Sequence, residues 1–239
     1  MRKTVLTHFY NEEFLLPWWL KHHRDIFDWG VCINYGSTDR SVEVIKDICP
    51  NWVVVDSIND MFDARLCDEE VTKYEKQIPG WKTTLNVTEF LVGNFSILND
   101  IPNQELKIPC HVMIDCQEEE YLLEDRPLIE QRYFGLSYKH SDKMRRPRCI
   151  HNKVSIAYPL GRHFEEYNCE EIQVLWYGWS PFNKRLIDRK LQIQNKIPES
   201  DKQRGFGREH ITTLDKIVKE HERLKYRAQD LSLFMKVIT

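Results

Sequence analysis

The sequence predicts an α/β fold, a mostly parallel sheet with helices on both faces. Two observations predict it. Short β-branched or aromatic runs alternate with helix-like segments through the first 90 residues, the order that builds a parallel sheet. The strand-like runs also end in polar residues, Asn11, Asn34, Asp56 and Asn86, where ligands of such sheets bind. The 239 residues suffice for a substantial hydrophobic core.

The elements follow in order. "TVLTHF" (4–9) reads as a buried strand, and "NEEFLLPWWLKHHRDIF" as a helix with Pro17 in its first turn and acids at its N-terminus. "VCIN" (31–34) is a second strand, followed by the turn "YGSTD" and a helix capped by Ser41 or Asp39. "WVVVD" (52–56) is a third strand, 63–77 a charged helix, and "KTTLNV" (82–87) a fourth strand. Beyond residue 95 the alternation loosens. "CHVMID" (110–115) and "IQVLWY" (172–177) read as strands, and 180–197 as a helix. Over 211–235, Leu214, Ile217, Val218, Leu224, Ala228, Leu231 and Met235 keep helical spacing. That stripe serves either core packing or a subunit contact in a homodimer.

Composition narrows the function classes. A net charge of −3 gives no footprint for nucleic acid. The basic stretch "KMRRPR" (143–148) reads as a solvated loop, its sharper reading being a patch for a phosphate-bearing substrate. Seven scattered cysteines without a CxxC suit reduced thiols in the cytoplasm, and no run reaches the length of a membrane span. The sequons at Asn86 and Asn94 are then read as chance.

Several segments together resemble glycosyltransferases of the GT-A fold, family 2-like and also family 92-like. "HFYNEEFLLPWWLKHH" (8–23) is similar to their opening "NEapyLpEWLxHH". "NYGSTDRS" (34–41) is similar to "DNGSTDxS", and "LNVTEFL" (85–91) to the strand end "xDxDEFL". "YFGLSYKHS" (133–141) and "KVSIAYPLGRHF" (153–164) resemble later segments, so the likeness runs over roughly residues 3–190. It implies a GT-A-like domain over 1–239, with a Rossmann-like nucleotide-binding half at 1–95. An acceptor half with C-terminal helices occupies 96–239. The implied reaction is sugar transfer from a nucleotide-sugar donor to a hydroxyl of a glycan or other acceptor. A nucleotidyltransferase is the poorer reading, because a Gly-rich phosphate loop is missing after the first strand.

The resemblance also assigns residues. Asn11 and Glu12 would meet base or ribose, with helix capping as the plain role of Asn11. Asn34 would face the base, and Asp39 is more simply a cap. The family's acids are replaced by Asn86 and Thr88, leaving Glu89. Three readings stay open. A divalent cation, Mn2+ or Mg2+, is held by Glu89, His163 and the diphosphate; or Arg162, Lys184, Arg185, Arg189 and Lys190 replace it; or the chain is an inactive nucleotide- or glycan-binding module. Asp115 is the leading general base, with Glu118 to Glu120 as alternatives, and Trp176, Tyr177 and Trp179 are candidates for an aromatic wall.

Overall fold

The computed structural model describes residues 1–101, 104–117, 121–140, 145–205 and 211–238. Its first half alternates as the sequence predicts: β1 (Lys3–Phe9), α1 (Leu16–His23), β2 (Trp29–Asn34), α2 (Ser41–Ile48), β3 (Val53–Asp56), α3 (Ala64–Glu75) and β4 (Trp81–Thr84). Then come β5 (Glu89–Gly93), β6 (Glu105–Ile108), β7 (Cys110–Ile114), α4 (Leu128–Gln131), β8 (Phe134–Leu136), β9 (Arg148–His151) and β10 (Ile172–Trp179). The chain continues through α5 (Lys184–Ile193), α6 (Glu199–Arg204), α7 (Leu214–Lys225), β11 (Gln229–Asp230) and α8 (Ser232–Ile238).

Two sheets result. The larger has the order β3-β2-β1-β4-β9-β6. Its first four strands are mutually parallel, and β9 and β6 extend it antiparallel. The second, β11-β8-β7-β10-β5, is antiparallel apart from the β7–β10 pair. The fold is thus mixed α/β with a parallel-rich sheet, and the parallel character belongs to the first half. One large hydrophobic cluster joins β1, α1, β5, β7 and β10, with Trp19, Trp81, Phe90 and Tyr177 fully buried in it.

Local chemistry explains most boundaries. Pro17 sits in the first turn of α1, where its missing N–H costs nothing. Asp63 caps α3 by accepting from Leu66 N at 2.9 Å, and Asn183 caps α5 by accepting from Leu186 N at 3.1 Å.

Four expectations need correction. The fourth strand stops at Thr84, and Asn86 to Thr88 turn the chain so that Glu89 opens β5 in the other sheet. The acids at 12 and 13 precede α1, whose first turn holds none. The helix expected over 180–197 is α5 from Lys184, then a separate 3-10 turn, Gln194–Lys196. The helix expected over 211–235 is two, α7 and α8, because a break after Lys225 lets Gln229–Asp230 pair with β8. Ile217, Leu224, Leu231 and Met235 are buried, so these members of the stripe pack into the protein. Among the described residues no helix is long and apolar enough to cross a membrane, and all seven cysteines are free.

Candidate functional site

The order β3-β2-β1-β4 places a topological switch between β1 and β4, because β2 and β3 extend the sheet on one side of β1 and β4 on the other. Parallel sheets open a crevice at the carboxyl ends of the strands flanking such a switch. A cavity of about 510 Å³ lies there, lined by His8 and Phe9 at the end of β1, by Tyr10 and Glu12 just after it, and by Asn86 to Thr88 of the β4–β5 turn. The opposite wall comes from Arg145, Arg146, Arg148, Arg162, His163, Trp176, Trp179, Arg189 and Lys190. Its lining carries six Arg or Lys side chains against three carboxylates, Glu12, Asp68 and Asp201, so it suits an anion. A Cβ at Gly178 would come within 2.1 Å of the Trp176 ring, so glycine there lets the indole lie against β10.

Glu89 anchors the basic wall. It has no exposed surface. Its Oε1 accepts from Arg148 Nε at 2.8 Å and Nη2 at 2.7 Å, and from Arg145 Nη2; its Oε2 accepts from Asn86 N at 2.8 Å. Burial alone would raise the pKa of this carboxyl. Arg148 and Arg145, with the hydrogen bonds they and Asn86 donate, outweigh burial and hold it well below the ordinary carboxylate range. The Asn86 amide, oriented by the network, places Oδ1 2.9 Å from Arg145 Nη2 and 3.2 Å from Arg148 Nη2. Thr88 Oγ1 accepts from Trp176 Nε1 at 3.1 Å, and Arg145 lies over the Trp176 ring.

His163 Nδ1 lies 3.2 Å from Arg148 Nη1 and serves as its acceptor. Burial, Arg148 and Arg145 push the imidazole down to about 2, so it is neutral at physiological pH. Arg162 adopts φ 60, a strained conformation for a residue with a side chain, and its Nη1 is held by Asp68 Oδ1 at 2.5 Å. Lys190 Nζ sits 3.8 Å from the centroid of Trp179. Burial, then Arg189 and Arg145, lower Lys190 to about 7.

These contacts decide how a divalent cation fits. Glu89 offers it no free oxygen, and His163 turns its lone pair to an arginine. Among the described residues no group of three His, Cys, Asp or Glu is placed to hold a metal ion. The donor pair Glu89 and His163 therefore does not suit Mn2+ or Mg2+, and arginines stand where the resemblance places the ion.

The remaining expected residues divide sharply. Glu12 lines the cavity, fastened by Arg189 Nε at 2.6 Å and Nη2 at 2.5 Å. Asn11, Asn34 and Asp39 do not line it. Asn11 adopts φ 51, a conformation asparagine tolerates, and its Oδ1 accepts from Thr38 N at 2.7 Å. Asn34 bonds Asp56 and Ser37 N, and Asp39 accepts from Ser41 N and Glu13 N. These three amide and carboxylate groups hold the 34–41 turn together rather than cap a helix: α1 begins after Leu15 and α2 after Arg40, and neither has a side-chain cap hydrogen bond. Asp115, expected as general base, is buried away from the cavity lining. Its Oδ2 accepts from Arg132 Nε at 3.3 Å and Phe182 N at 2.8 Å. Glu118 to Glu120 lie outside the described residues. Lys184 and Arg185 do not line the cavity, whereas Arg189 and Lys190 do. Trp176 and Trp179 line it, while Tyr177 is core and donates to Arg132 O at 2.8 Å.

Arg145 and Arg148 were legible only as the loop "KMRRPR". The signal that singles them out is the buried Glu89 that both arginines grip, a tertiary contact no local pattern shows.

No protein-family model matches the chain, and no curated protein matches it in sequence. Among solved structures it is similar to S. aureus TarS 1-349, at 13% identity and TM-score 0.35, over 64% of this chain and 47% of that one. The same protein in complex with UDP gives 12%, TM-score 0.36, and 64% and 47%. In complex with UDP-GlcNAc it gives 14%, TM-score 0.33, and 52% and 37%. The matches span less than half of those chains, and likeness at this level carries no argument about activity.

Proposed function

We propose that the chain is a glycosyltransferase that moves a sugar from a nucleotide-sugar donor to an acceptor hydroxyl. The observation that carries this reading is the cavity at the β1–β4 switch, with six cationic side chains in its lining. In the reaction, the bond between the sugar carbon and the diphosphate oxygen breaks, and its electron pair stays on that oxygen. The acceptor oxygen bonds the carbon and gives up its proton. Cations fixed beside the leaving oxygen lower the barrier because they stabilise charge that grows in the transition state. Tyr10 and Phe62 give the cavity an aromatic end suited to a base, and sequence similarity of residues 8–23 and 34–41 to GT-A enzymes points to the same donor class.

A second reading is an inactive module that binds such a donor. It is favoured by the pairing of every carboxylate in the lining. Glu12 is held by Arg189, Asp68 by Arg162 and Gly161 N, and Asp201 by Arg204 and Ala64 N.

The test is thermal unfolding with a panel of nucleotide sugars, with and without Mn2+, followed by chromatography for released nucleoside diphosphate. A donor at a hundredfold its Kd stabilises the folded state by about 2.7 kcal/mol, roughly 5–10 °C for a chain of this size. A stabilising donor that is turned over supports transfer; stabilisation without turnover favours the binding module. No shift with any nucleotide sugar would remove both readings.

A further inference from the structure

We infer that the leaving diphosphate is bound directly by Arg145 and Lys190, with Arg148 and Glu89 as positioning residues and without a bridging divalent cation. This rests on the cavity being a nucleotide-sugar site and specifies how that site holds its anion. The division of roles follows from which donors are already used. Arg148 spends Nε and Nη2 on Glu89, and Nη1 on Gly161 O, Arg162 O and His163 Nδ1. Arg145 gives Nη2 to Glu89 while its Nε is buried and has no partner among the described residues. Lys190 has neither a hydrogen bond nor an ion pair among the described residues, only the face of Trp179.

A buried guanidinium donor without a partner costs free energy unless a ligand completes it. Arg145 and Lys190 both line the cavity, and each feels the other's field. Glu89 sits behind them with no exposed surface, so one negative charge orients two arginines without reaching the ligand. Three cations against one carboxylate leave the cluster net positive. Such a cluster repels a divalent cation and attracts a pyrophosphate, which accepts charge-assisted hydrogen bonds from guanidinium and ammonium groups.

Asn86 makes the inference decidable. Its oxygen lies within 3.2 Å of both arginines. In Asn86→Asp a carboxylate of nearly the same shape takes that place. If arginine and lysine bind the diphosphate, the added charge neutralises them and weakens binding. If a cation binds it, the same charge supplies a missing metal ligand and tightens binding in Mn2+.

The experiment is calorimetric titration of the full chain with inorganic pyrophosphate in EDTA, and with UDP, GDP, ADP and CDP in EDTA and in Mn2+. Pyrophosphate and at least one nucleoside diphosphate are expected to bind in EDTA, and Mn2+ should not tighten the nucleotide. Asn86→Asp and Lys190→Met should each weaken binding about tenfold or more, the lower end for one charge-assisted hydrogen bond. Lys190→Met serves independently should Asn86→Asp perturb folding. Nucleotide binding that requires Mn2+, or that Asn86→Asp tightens in Mn2+, overturns the inference and leaves the glycosyltransferase reading standing. Pyrophosphate binding without any nucleotide keeps the anion site and removes that reading. Binding of neither removes both.

Discussion

At the scale of single residues, Glu89 shows how the same side chain changes meaning with its surroundings. A carboxylate at a strand end invites a catalytic or metal-binding reading, yet here it is an ion-pair partner for Arg145 and Arg148 with 0% exposure. Glu89→Gln should then destabilise the fold by about 3–5 kcal/mol, because two buried guanidinium groups lose their counter-charge. Urea denaturation at pH 7 checks this; a loss below about 1 kcal/mol would contradict it. Since the folded-state pKa of Glu89 is depressed, its stabilising contribution is fully present above the unfolded carboxylate range and is lost progressively as pH falls from that range towards the much lower folded-state value. The wild-type advantage should therefore shrink in acid. Lys190 has the opposite sign. Its folded-state value of about 7 lies below the ordinary 10.5, with Arg189 and Arg145 facing it and Trp179 beneath it. Between those values the unfolded chain binds more protons, so stability from this group rises with pH; below about 7 its charge is a full burden. Lys190→Met should raise the melting temperature at pH 6.5, by about 2–4 °C for each kcal/mol recovered, and by less at pH 10. An equal shift at both pH values would show that Lys190 carries no such burden.

At the scale of elements, what the sequence made legible was what local pattern controls. The alternation from β1 to β4 is readable because its strands are short β-branched or aromatic runs and two of its helices carry a start signal, Pro17 for α1 and Asp63 for α3. The β4–β5 turn was harder. Leu85, Val87 and Phe90 are all buried, so hydrophobicity continues through a place where the chain leaves one sheet for the other. The break between α7 and α8 was invisible for a similar reason: both helices bury apolar residues in nearly continuous helical spacing, and only pairing of Gln229 with Gly135 interrupts it. The candidate site was half legible. Glu12, Asn86, Arg162, His163 and Lys190 all line the cavity, as do two of the three aromatics. Asn34, Asp39 and Asp115 lie off the cavity lining, because a polar residue at a strand end serves turn hydrogen bonds or a buried pair as readily as a ligand. Arg145 and Arg148 read from sequence first as a solvated loop, with a phosphate patch second, because a run of basic residues is ordinarily solvated; a buried acid elsewhere in the chain draws these two inward.

At the scale of the whole molecule, the cavity is closed by a seam between the two halves of the chain. Along it, α5 and the turn after it reach the carboxyl edge of the first sheet. Gln192 Nε2 donates to Asn11 O at 3.0 Å, Lys196 Nζ donates to Tyr35 O at 3.0 Å, and Arg189 clasps Glu12. The Arg189–Glu12 ion pair is well buried, with side-chain exposures of 13% and 6%, whereas the neighbouring Arg185–Glu13 pair is exposed. Burial pushes the Glu12 carboxyl up, and Arg189 opposes that rise. Removing the arginine leaves an uncompensated buried carboxylate, so Arg189→Ala should cost about 3–5 kcal/mol near neutrality. The pH dependence tests the cause. Without Arg189 the folded-state pKa of Glu12 rises further above its unfolded value, so the folded state holds a proton that the unfolded state releases. Stability of the variant then falls as pH rises through that window, whereas protonation in mild acid relieves the strain. Denaturation of wild type and variant at pH 5 and pH 8 should show the larger loss at pH 8. Arg189→Ala combined with Glu12→Gln should recover much of it, because a neutral amide avoids the buried charge while keeping the shape. An equal loss at both pH values, with no recovery in the double variant, would mean that the seam depends on the packing of the Arg189 side chain rather than on its charge.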